Sequence, residues 1–371
     1  MAHASRITGL QVAVVGGGIG GLSTALALAM QGASVRVFER VPRIAEVGAG
    51  IQITPNGARV LAALGLSDGM GRLGLHARAV LPTDGLTGRT LARFDLSRQV
   101  PPYRFVARSD LIALLADACA ARGVDIILNH RRDSLPDADL VIGADGIKSV
   151  MRGVLNGPAA PAFTGQVAWR AVISATAPPE ARIWMLPGRH VVTYPLPGDR
   201  VNIVAVQERD VWADEGWHHP DYPAHLRRAF ADGCPSLQAL LARVDTPHLW
   251  GLFQHPVAPV WVTDRVALVG DAAHPTLPFL AQGANLALED AAVLARLLAW
   301  HGIADGLTHY QAARVPRVTR AIAAASANAV NYHLRGPRRV VAHLGLRALG
   351  RVAPDAFIGR MDWLYGFDAT R

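Results

Sequence analysis

Cysteine and lysine are nearly absent from this sequence of 371 residues. The two cysteines, Cys119 and Cys234, lie far apart and form no CxxC pair. This argues against a disulfide framework, a zinc site and dithiol redox chemistry, so no metal is expected. Lys148 is the single lysine among 37 basic residues, and the net charge of +8 therefore comes almost wholly from arginine. Such a surface can steer anionic ligands toward the protein.

Long apolar runs and compact basic clusters are also absent. No segment reaches the roughly 18 uninterrupted apolar residues of a transmembrane helix, so no membrane span is expected. The early stretch "LQVAVV" is short and leads into a glycine-rich turn, unlike a signal peptide. No Lys/Arg patch is interleaved with aromatic residues, so nucleic acid is not an expected partner. With 51% hydrophobic and 18% charged residues, we expect a cytoplasmic globular protein, either a monomer or a homodimer.

Strand and helix signals alternate in the N-terminal third, which is typical of a Rossmann-like α/β domain. The predicted strands are Leu10–Val15, Ser34–Phe38, Val124–Leu128 and Asp139–Ile142, and the predicted helices are Ile19–Gln31, Asn56–Leu64 and Asp110–Ala121. Between residues 160 and 260, short β-branched segments such as "QVAWRAVI" and "RVNIVAV" are separated by Pro/Gly turns. This pattern predicts a mostly antiparallel β-sheet that interrupts the α/β domain.

The two predicted domains alternate along the chain. A hairpin signal at Ala77–Pro82 and Thr90–Phe94 is expected to join the antiparallel sheet, and a strand at Arg265–Val269 to return to the first sheet. The expected boundaries are 1–76, 104–158 and 263–300 for the α/β domain, 77–103 and 159–262 for the β-rich domain, and 301–371 for a C-terminal helical region. Residues 129–138 are few for a parallel crossover, which usually needs a dozen or more. Either this link is minimal, or the strands before and after it are not immediate parallel neighbours.

A dinucleotide-binding fingerprint lies near the start of the chain. Gly16-x-Gly18-x-x-Gly21 follows a predicted strand and opens a predicted helix, and Glu39 ends the next strand. Gly16 permits the tight turn, Gly18 lets a pyrophosphate approach the backbone, and Gly21 allows close packing of helix and strand. The free amides at the helix N-terminus suit phosphates, and Glu39 can accept hydrogen bonds from a ribose. The motif predicts dinucleotide binding without separating NAD from FAD.

Two further strand ends carry an aspartate. "DLVIGADGIKSVMR" (139–152) contains Asp145-Gly146, and "VALVGDAAHP" (266–275) contains Gly270-Asp271. A plain NAD dehydrogenase has no need of both, whereas the long FAD molecule extends past the first βαβ unit. Asp271 suits the ribityl hydroxyls. A helix that starts near Gln282–Asn285 directs its positive end at the flavin and stabilises negative charge on the reduced ring.

These motifs carry a family resemblance over nearly the whole chain. The sequence resembles the single-component FAD-dependent aromatic hydroxylases, class A flavoprotein monooxygenases with the fold of para-hydroxybenzoate hydroxylase. Their GxGxxG, DG and GD motifs occur here in that order. Further segments resemble the salicylate and 3-hydroxybenzoate hydroxylase branch, namely "EVGAGIQITPNGARVLAALGL" (46–66), "VARSDLIALL" (106–115), "AWRAVI" (168–173), "HVVTYPL" (190–196) and "DWLYGFD" (362–368). Ala281, where many relatives have glycine, fits the same branch.

The resemblance implies a cofactor and a reaction. NADH or NADPH reduces FAD, O₂ adds to give a flavin C4a-hydroperoxide, and its distal oxygen attacks an activated ring. The α/β part is then an FAD-binding domain and the β-rich part a substrate domain. The substrate is expected to be a small phenolic or N-heteroaromatic molecule, of anionic, salicylate- or hydroxybenzoate-like type. The residues expected to bind FAD are Gly16, Gly18, Gly21, Glu39, Arg40, Gly50, Arg108, Asp145, Gly146, Asp271, Pro278, Gly283, Ala284 and Asn285. The loop around Gly48, Ala49 and Gly50 lies beside a mobile flavin in the family.

The chemistry is expected to need a base near the substrate hydroxyl, because a phenolate is the better nucleophile. His190, Val192 and Tyr194 alternate on a predicted strand and so share one face. His190 is the candidate base or proton relay, against a plain sheet histidine, and Tyr194 a hydrogen-bonding wall, against a core aromatic. Gln282 is the candidate for orienting the ring, against a helix-start hydrogen bond. For His274, a structural role in the turn is favoured over acid–base work.

Several alternatives stay open. The chain can be an FAD-binding oxidoreductase of the same fold that acts on another substrate class in biosynthesis, or one that has lost oxygenation. Flavin-dependent halogenases share the fold but need a WxWxIP motif, which is absent, and Baeyer–Villiger enzymes need a second GxGxxG. The C-terminal arginines are expected to form a solvated helical face (Arg314, Arg317, Arg320, Arg335, Arg338 and Arg339).

Overall fold

The computed structural model describes residues 5–43, 50–158, 160–210 and 219–371. Its strands are β1 (Gln11–Val15), β2 (Ser34–Phe38), β3 (Gly50–Ile53), β4 (Leu75–His76), β5 (Ala79–Asp84), β6 (Phe94–Asp95), β7 (Arg104–Ala107), β8 (Asp125–Ile127), β9 (Leu140–Gly143), β10 (Ala162–Ser174), β11 (Glu180–Leu186), β12 (Arg189–Leu196), β13 (Arg200–Glu208), β14 (His219–Pro220), β15 (His248–Gln254), β16 (Val262–Thr263) and β17 (Val266–Leu268). Its helices are α1 (Ile19–Met30), α2 (Pro55–Ala63), α3 (Ser67–Leu73), α4 (Arg108–Ala121), α5 (Val150–Asn156), α6 (Pro223–Ala229), α7 (Pro235–Ala242), α8 (Gly283–His301), α9 (Ile303–Tyr332), α10 (Gly336–Val352), α11 (Pro354–Gly359) and α12 (Asp362–Tyr365).

The first sheet has the order β16-β17-β9-β1-β2-β8 and is parallel except for the β16–β17 pair. Its central strands are apolar on both faces, as in Val12–Val15 and Leu140–Ile142, because helices such as α1 cover the sheet. Strands from three separate parts of the sequence build this one sheet. The predicted α/β architecture, interrupted and later completed, is thereby confirmed.

The short link at residues 129–138 has a simple topological explanation. β8 lies at the sheet edge beside β2, whereas β9 lies on the other side of β1. The two strands are therefore not neighbours. Of the two alternatives left open by the sequence, the structure has the second.

The second sheet has the order β14-β15-β10-β13-β12-β11-β5-β6. It is antiparallel except that β5 pairs with β11 in parallel. The predicted hairpin joins it through β5 and β6, which are antiparallel and linked further by a Thr83–Thr90 bridge. A small third sheet has the order β3-β7-β4 and contacts β12 of the second sheet through β7.

The C-terminal helices complete the molecule. α8 packs against α1 and α9, α11 contacts α10 and β6 of the second sheet, and α12 contacts α2. The expectation of a solvated arginine face is wrong for three members, because Arg314 is fully buried and the side chains of Arg317 and Arg339 are only 9% and 14% exposed. Within the described residues, no helix combines the length and hydropathy that a membrane crossing requires.

Candidate active site

A cavity of about 320 Å³ opens where β1, β9 and β17 end and where α1 and α8 begin. Ligands of open α/β sheets bind at this edge because the helix N-termini and strand-end loops converge there. The residues Gly18, Ala144, Gly146, Gly270, Gly283 and Ala284 line its α/β side. The face of the second sheet closes the opposite side through β12, β13 and β15. We call this space the first cavity.

The three fingerprint glycines have distinct steric roles. Gly16 has φ of +110°, and a Cβ there would lie 2.3 Å from the Ala144 carbonyl oxygen. A Cβ on Gly21 would lie 1.9 Å from the Gly16 oxygen. A Cβ on Gly18 would meet no described atom within 4 Å, because this position borders the first cavity. Gly16 and Gly21 are therefore required by the fold, and Gly18 leaves room for a ligand.

Glu39 and Arg40 follow β2, next to the fingerprint. The Glu39 carboxylate accepts hydrogen bonds from the backbone N–H of Gly17 at 2.6 Å and of Val41 at 3.0 Å. Arg40 is exposed. Gly48 and Ala49 lie outside the described residues, whereas Gly50 begins β3 and lines the first cavity. Glu39 is therefore hydrogen bonded to the glycine turn, and its contact with a ribose stays a prediction.

The two aspartate motifs behave differently. Asp145 turns toward α5, where its carboxylate accepts from the N–H of Val150 at 2.7 Å and of Met151 at 3.2 Å, while Gly146 lines the cavity. Asp271 instead sits at a 3₁₀ turn after β17 and its side chain is open to the cavity. Desolvation by the surrounding protein raises the pKa of Asp271, against the charges of His274 and Arg108.

The start of α8 forms another wall of the first cavity. Gly283 and Ala284 line it, and no side chain of the described residues caps this helix end. Asn285 is buried one residue further on. Its amide nitrogen donates to the carbonyls of Gln52 at 3.0 Å and Ala281 at 2.7 Å, and its oxygen accepts from the Thr54 N–H at 3.0 Å. Asn285 thus holds the neighbouring loops in place behind the cavity wall.

A second cavity of about 330 Å³ adjoins the first. Both are lined by the same five residues, namely Gln52, His190, Val192, Pro278 and Ala281, which form a shared wall. His190 is the one member of this wall that can exchange a proton near neutral pH. The other polar residues that line the second cavity are Tyr103, Asn328, Asn331, Tyr332, His343 and Tyr365.

Most polar residues of the second cavity were missed by the sequence analysis. Gln52 and Tyr365 lie in segments that carried the family resemblance, "GIQITP" and "DWLYGFD", so a signal for them existed. Asn328, Asn331 and His343 lie on α9 and α10, where helical periodicity predicts only which face is buried. No local pattern distinguishes a cavity-lining polar residue from a solvated one.

His190 is 2% exposed and lies on β12 between the rings of Phe279 and Tyr332, with ring centroids at 5.6 and 5.2 Å. Its Nδ1 is 2.7 Å from Nε2 of His333. Burial first, and then the neighbouring His333, lower the pKa of His190 well below its ordinary value. The imidazole is therefore neutral at physiological pH.

Tyr194 and Gln282 lie beside the first cavity. Tyr194 is 5% exposed and contacts the Phe105 ring, and burial raises its pKa. Gln282 is 2% exposed, and its amide bonds to Asn56 at 3.1 Å and to Thr54 at 3.2 Å. Both residues line the first cavity, and neither is among the described residues that line the second. Their contact with substrate stays a prediction.

A buried network of charges lies behind the GD turn. Asp290 accepts hydrogen bonds from Nε2 of His274 at 2.5 Å, Nε of Arg314 at 2.7 Å and the N–H of Gly270 at 2.9 Å. Arg314 also pairs with Glu289 at 2.7 Å. His274 is completely buried and stacks on Trp261. These contacts give His274 a structural place in the turn, away from both cavities.

Comparisons with known proteins agree with this arrangement. The family profile described as FAD binding domain matches residues 9–137 and 135–325. A 3-amino-4-hydroxybenzoate 2-monooxygenase of Streptomyces platensis is 34% identical over 97% of this chain and 96% of its own length. A 3-hydroxybenzoate 6-hydroxylase of Polaromonas naphthalenivorans is 32% identical over 97% and 96%. The HpxO protein of Klebsiella pneumoniae, solved with FAD and uric acid, superimposes with a TM-score of 0.83 at 27% identity over 95% of both chains.

The residues present fit an FAD molecule. The first cavity combines an open glycine turn at Gly18, uncapped amides at the starts of α1 and α8, and the Asp271 carboxylate directed into open space. Helix N-termini bind phosphates, and a carboxylate accepts hydrogen bonds from the hydroxyls of a sugar-like chain. The chain therefore belongs to the FAD-dependent aromatic hydroxylases and is a monooxygenase with FAD as its cofactor and NAD(P)H and O₂ as co-substrates.

Proposed function

We propose that this monooxygenase hydroxylates a monocyclic phenol or hydroxylated N-heteroaromatic ring bound in the second cavity, while FAD occupies the first. The observation that carries the proposal is the shared wall of the two cavities, which places one neutral, buried imidazole, His190, between them. A volume of about 330 Å³ lies at the lower end of the range of small-molecule sites. This size favours a single substituted ring.

The residues expected to bind FAD can be grouped by the part of the FAD molecule that each one suits. Gly18 and the first amides of α1 suit the pyrophosphate, Asp271 and Arg108 the ribityl side, and Gly283 with Ala284 the flavin ring. Gly16, Gly21, Asp145 and Asn285 act through packing and hydrogen bonds that shape the site, as described above. When bound, FAD supplies the activation of O₂ with electrons from NAD(P)H. The protein supplies binding, orientation and proton transfer.

The substrate is proposed to be an aromatic acid of the hydroxybenzoate or hydroxynicotinate type. The names of related enzymes point to such acids, including 6-hydroxynicotinate 3-monooxygenase of Bordetella bronchiseptica, 33% identical over 84% of this chain. Among the described residues that line the second cavity, none is arginine or lysine. Asn331 is exposed, so the α9 end of this cavity meets solvent. We infer that a carboxylate lies at that end, held by the amides of Asn328 and Asn331 and still partly hydrated, since an unpaired buried charge would be costly.

His190 is proposed as the base at the other end. Because its pKa is lowered, it enters the cycle neutral and accepts the proton of the substrate hydroxyl. The resulting phenolate donates electron density to the ring and makes its ortho and para carbons better nucleophiles. Phe279 and Tyr332 pack around the imidazole and limit the access of water to it.

The direct test is turnover with a defined panel of rings. Purified protein is loaded with FAD and given NADH or NADPH with 3-amino-4-hydroxybenzoate, 3-hydroxybenzoate, 6-hydroxynicotinate or salicylate under ¹⁸O₂. We expect stimulated NAD(P)H oxidation with at least one acid, and a product that contains one ¹⁸O atom. The methyl ester of the same acid is the matched control and should bind more weakly. Oxidation of NAD(P)H that yields only peroxide with every ring would favour the alternative of a flavoprotein without oxygenation.

A further inference from the structure

We propose that His190, His333 and Glu208 form a proton relay that carries the substrate proton from the second cavity to solvent. The proposal rests on the proposed function, because it assigns the path of the proton that His190 accepts. It adds two positioning residues that lie outside both cavities. His333 follows α9 and Glu208 ends β13, so three separate elements meet in this chain of side chains.

The distances form an unbroken line of hydrogen bonds. Nδ1 of His190 is 2.7 Å from Nε2 of His333, and Nδ1 of His333 is 3.0 Å from Oε1 of Glu208. His190 is 2% exposed and the His333 side chain 3%, whereas the Glu208 side chain is 39% exposed. The line thus begins at the cavity wall, crosses the protein interior and ends at the surface, where Arg335 pairs with Glu208.

The carboxylate determines the direction of every hydrogen bond in the line. An ionised Glu208 only accepts, so His333 donates through Nδ1–H and its Nε2 carries a lone pair. His190 must then donate through Nδ1–H, which leaves its own Nε2 as a proton acceptor. Because His190 lines both cavities, this acceptor serves a substrate hydroxyl.

The proton transfer balances without a charged imidazole. The substrate O–H bond breaks and an Nε2–H bond forms on His190. The Nδ1–H proton of His190 moves to Nε2 of His333, and the Nδ1–H proton of His333 moves to Glu208 and then to water. Both imidazoles end neutral in the opposite tautomer, and the substrate is a phenolate. Return of one proton to the product oxygen along the same path restores the starting tautomers.

The backbone around the relay is built to hold it. The Gly188 N–H donates to the His333 carbonyl at 3.0 Å, and the Glu208 N–H donates to the Gly188 carbonyl at 3.0 Å. Gly188 has φ of +68°, and a Cβ there would lie 2.2 Å from Nη2 of Arg335. The turn between β11 and β12 therefore fixes His333, Glu208 and Arg335 together. A buried imidazole with a lowered pKa needs such an exit, because it cannot hold the accepted proton as a charge.

The test follows the ionisation of a bound phenol without turnover. The oxidised FAD holoenzyme is saturated with 4-nitrophenol, without NAD(P)H, and is mixed rapidly from a pH below the pKa of the bound phenol to a pH above it. Formation of the coloured phenolate is followed by absorbance. Glu208→Gln keeps the hydrogen bond but cannot take up the proton, so we expect ionisation about 10²-fold slower than in the wild type. His333→Gln should give a similar loss.

Two controls separate transfer from structure. Glu208→Asp retains a carboxylate and should restore most of the rate. Glu180→Gln removes a carboxylate of the same sheet, far from the relay in its pairing with Arg93, and should leave the rate unchanged. A wild-type rate in Glu208→Gln would overturn the relay while leaving the proposed function intact. Failure of 4-nitrophenol and of every acid of the turnover panel to bind would instead refute the phenol site on which both proposals depend.

Discussion

Replacement of Asp290 by asparagine tests whether the buried charge network holds the GD turn. The Asp290 carboxylate is fully buried and accepts three hydrogen bonds, from His274, Arg314 and Gly270. Asparagine can accept one or two of these hydrogen bonds through its oxygen. Its amide nitrogen cannot accept, so at least one of the three donors would lose its hydrogen bond. Glu289 would remain the single carboxylate partner of Arg314 among the described residues, and Glu289 also pairs with Arg317 at 2.6 Å.

The expected loss can be worked from these contacts. The neighbouring His274 and Arg314, together with their hydrogen bonds, outweigh burial and lower the pKa of Asp290 from 3.8 to about 2. That difference alone corresponds to about 2 kcal/mol of folding free energy at neutral pH. Removal of one partner from a buried ion pair also leaves an uncompensated charge, so the whole loss should be about 3–5 kcal/mol.

Urea unfolding followed by circular dichroism measures this loss as a lower midpoint at an unchanged slope. The exposed pair of Arg131 and Asp133 supplies the matched control, because Asp133→Asn should cost less than about 1 kcal/mol. The folded pKa of Asp290 is depressed, so its contribution is present above about pH 4 and is lost as the pH falls through about 2. The difference between Asp290→Asn and wild type should therefore shrink in acid. A loss below about 1 kcal/mol at pH 7 would refute the reasoning.

Three further predictions concern the cavities. His190→Gln should retain FAD and flavin reduction but lower the rate of product formation by about 10²–10⁴-fold in stopped-flow assays, with peroxide released instead; an unchanged product yield would remove His190 from the mechanism. Ala281 has φ of +55°, so Ala281→Gly should raise the unfolding free energy by about 1 kcal/mol, and a lower midpoint would contradict this. Gly18→Ala should leave the urea midpoint unchanged while weakening FAD binding in a fluorescence titration, whereas Gly21→Ala should lower both; equal effects of the two would argue against the steric roles described above.

Much of the fold could be predicted because its signals are local. Apolar runs between glycine-rich turns located the parallel strands to within one or two residues, as at Ser34–Phe38, which the structure reproduces. The antiparallel second sheet followed from short β-branched segments. The parallel pairing of β5 with β11 could not be predicted, because it depends on which strand edge remains free after folding.

The same difference between local signals and distant contacts applies to the candidate site. The glycine fingerprint and the DG and GD motifs are short and contiguous in sequence, so the sequence by itself determined that the chain binds a dinucleotide. The environment of each catalytic candidate depends on residues far away in the chain. His190 meets His333, 143 residues later, and Gln282 meets Asn56, 226 residues earlier. Periodicity predicts that a side chain faces inward, but only tertiary packing decides which group it faces, whether its hydrogen bonds are already satisfied, and hence what chemistry remains open to it.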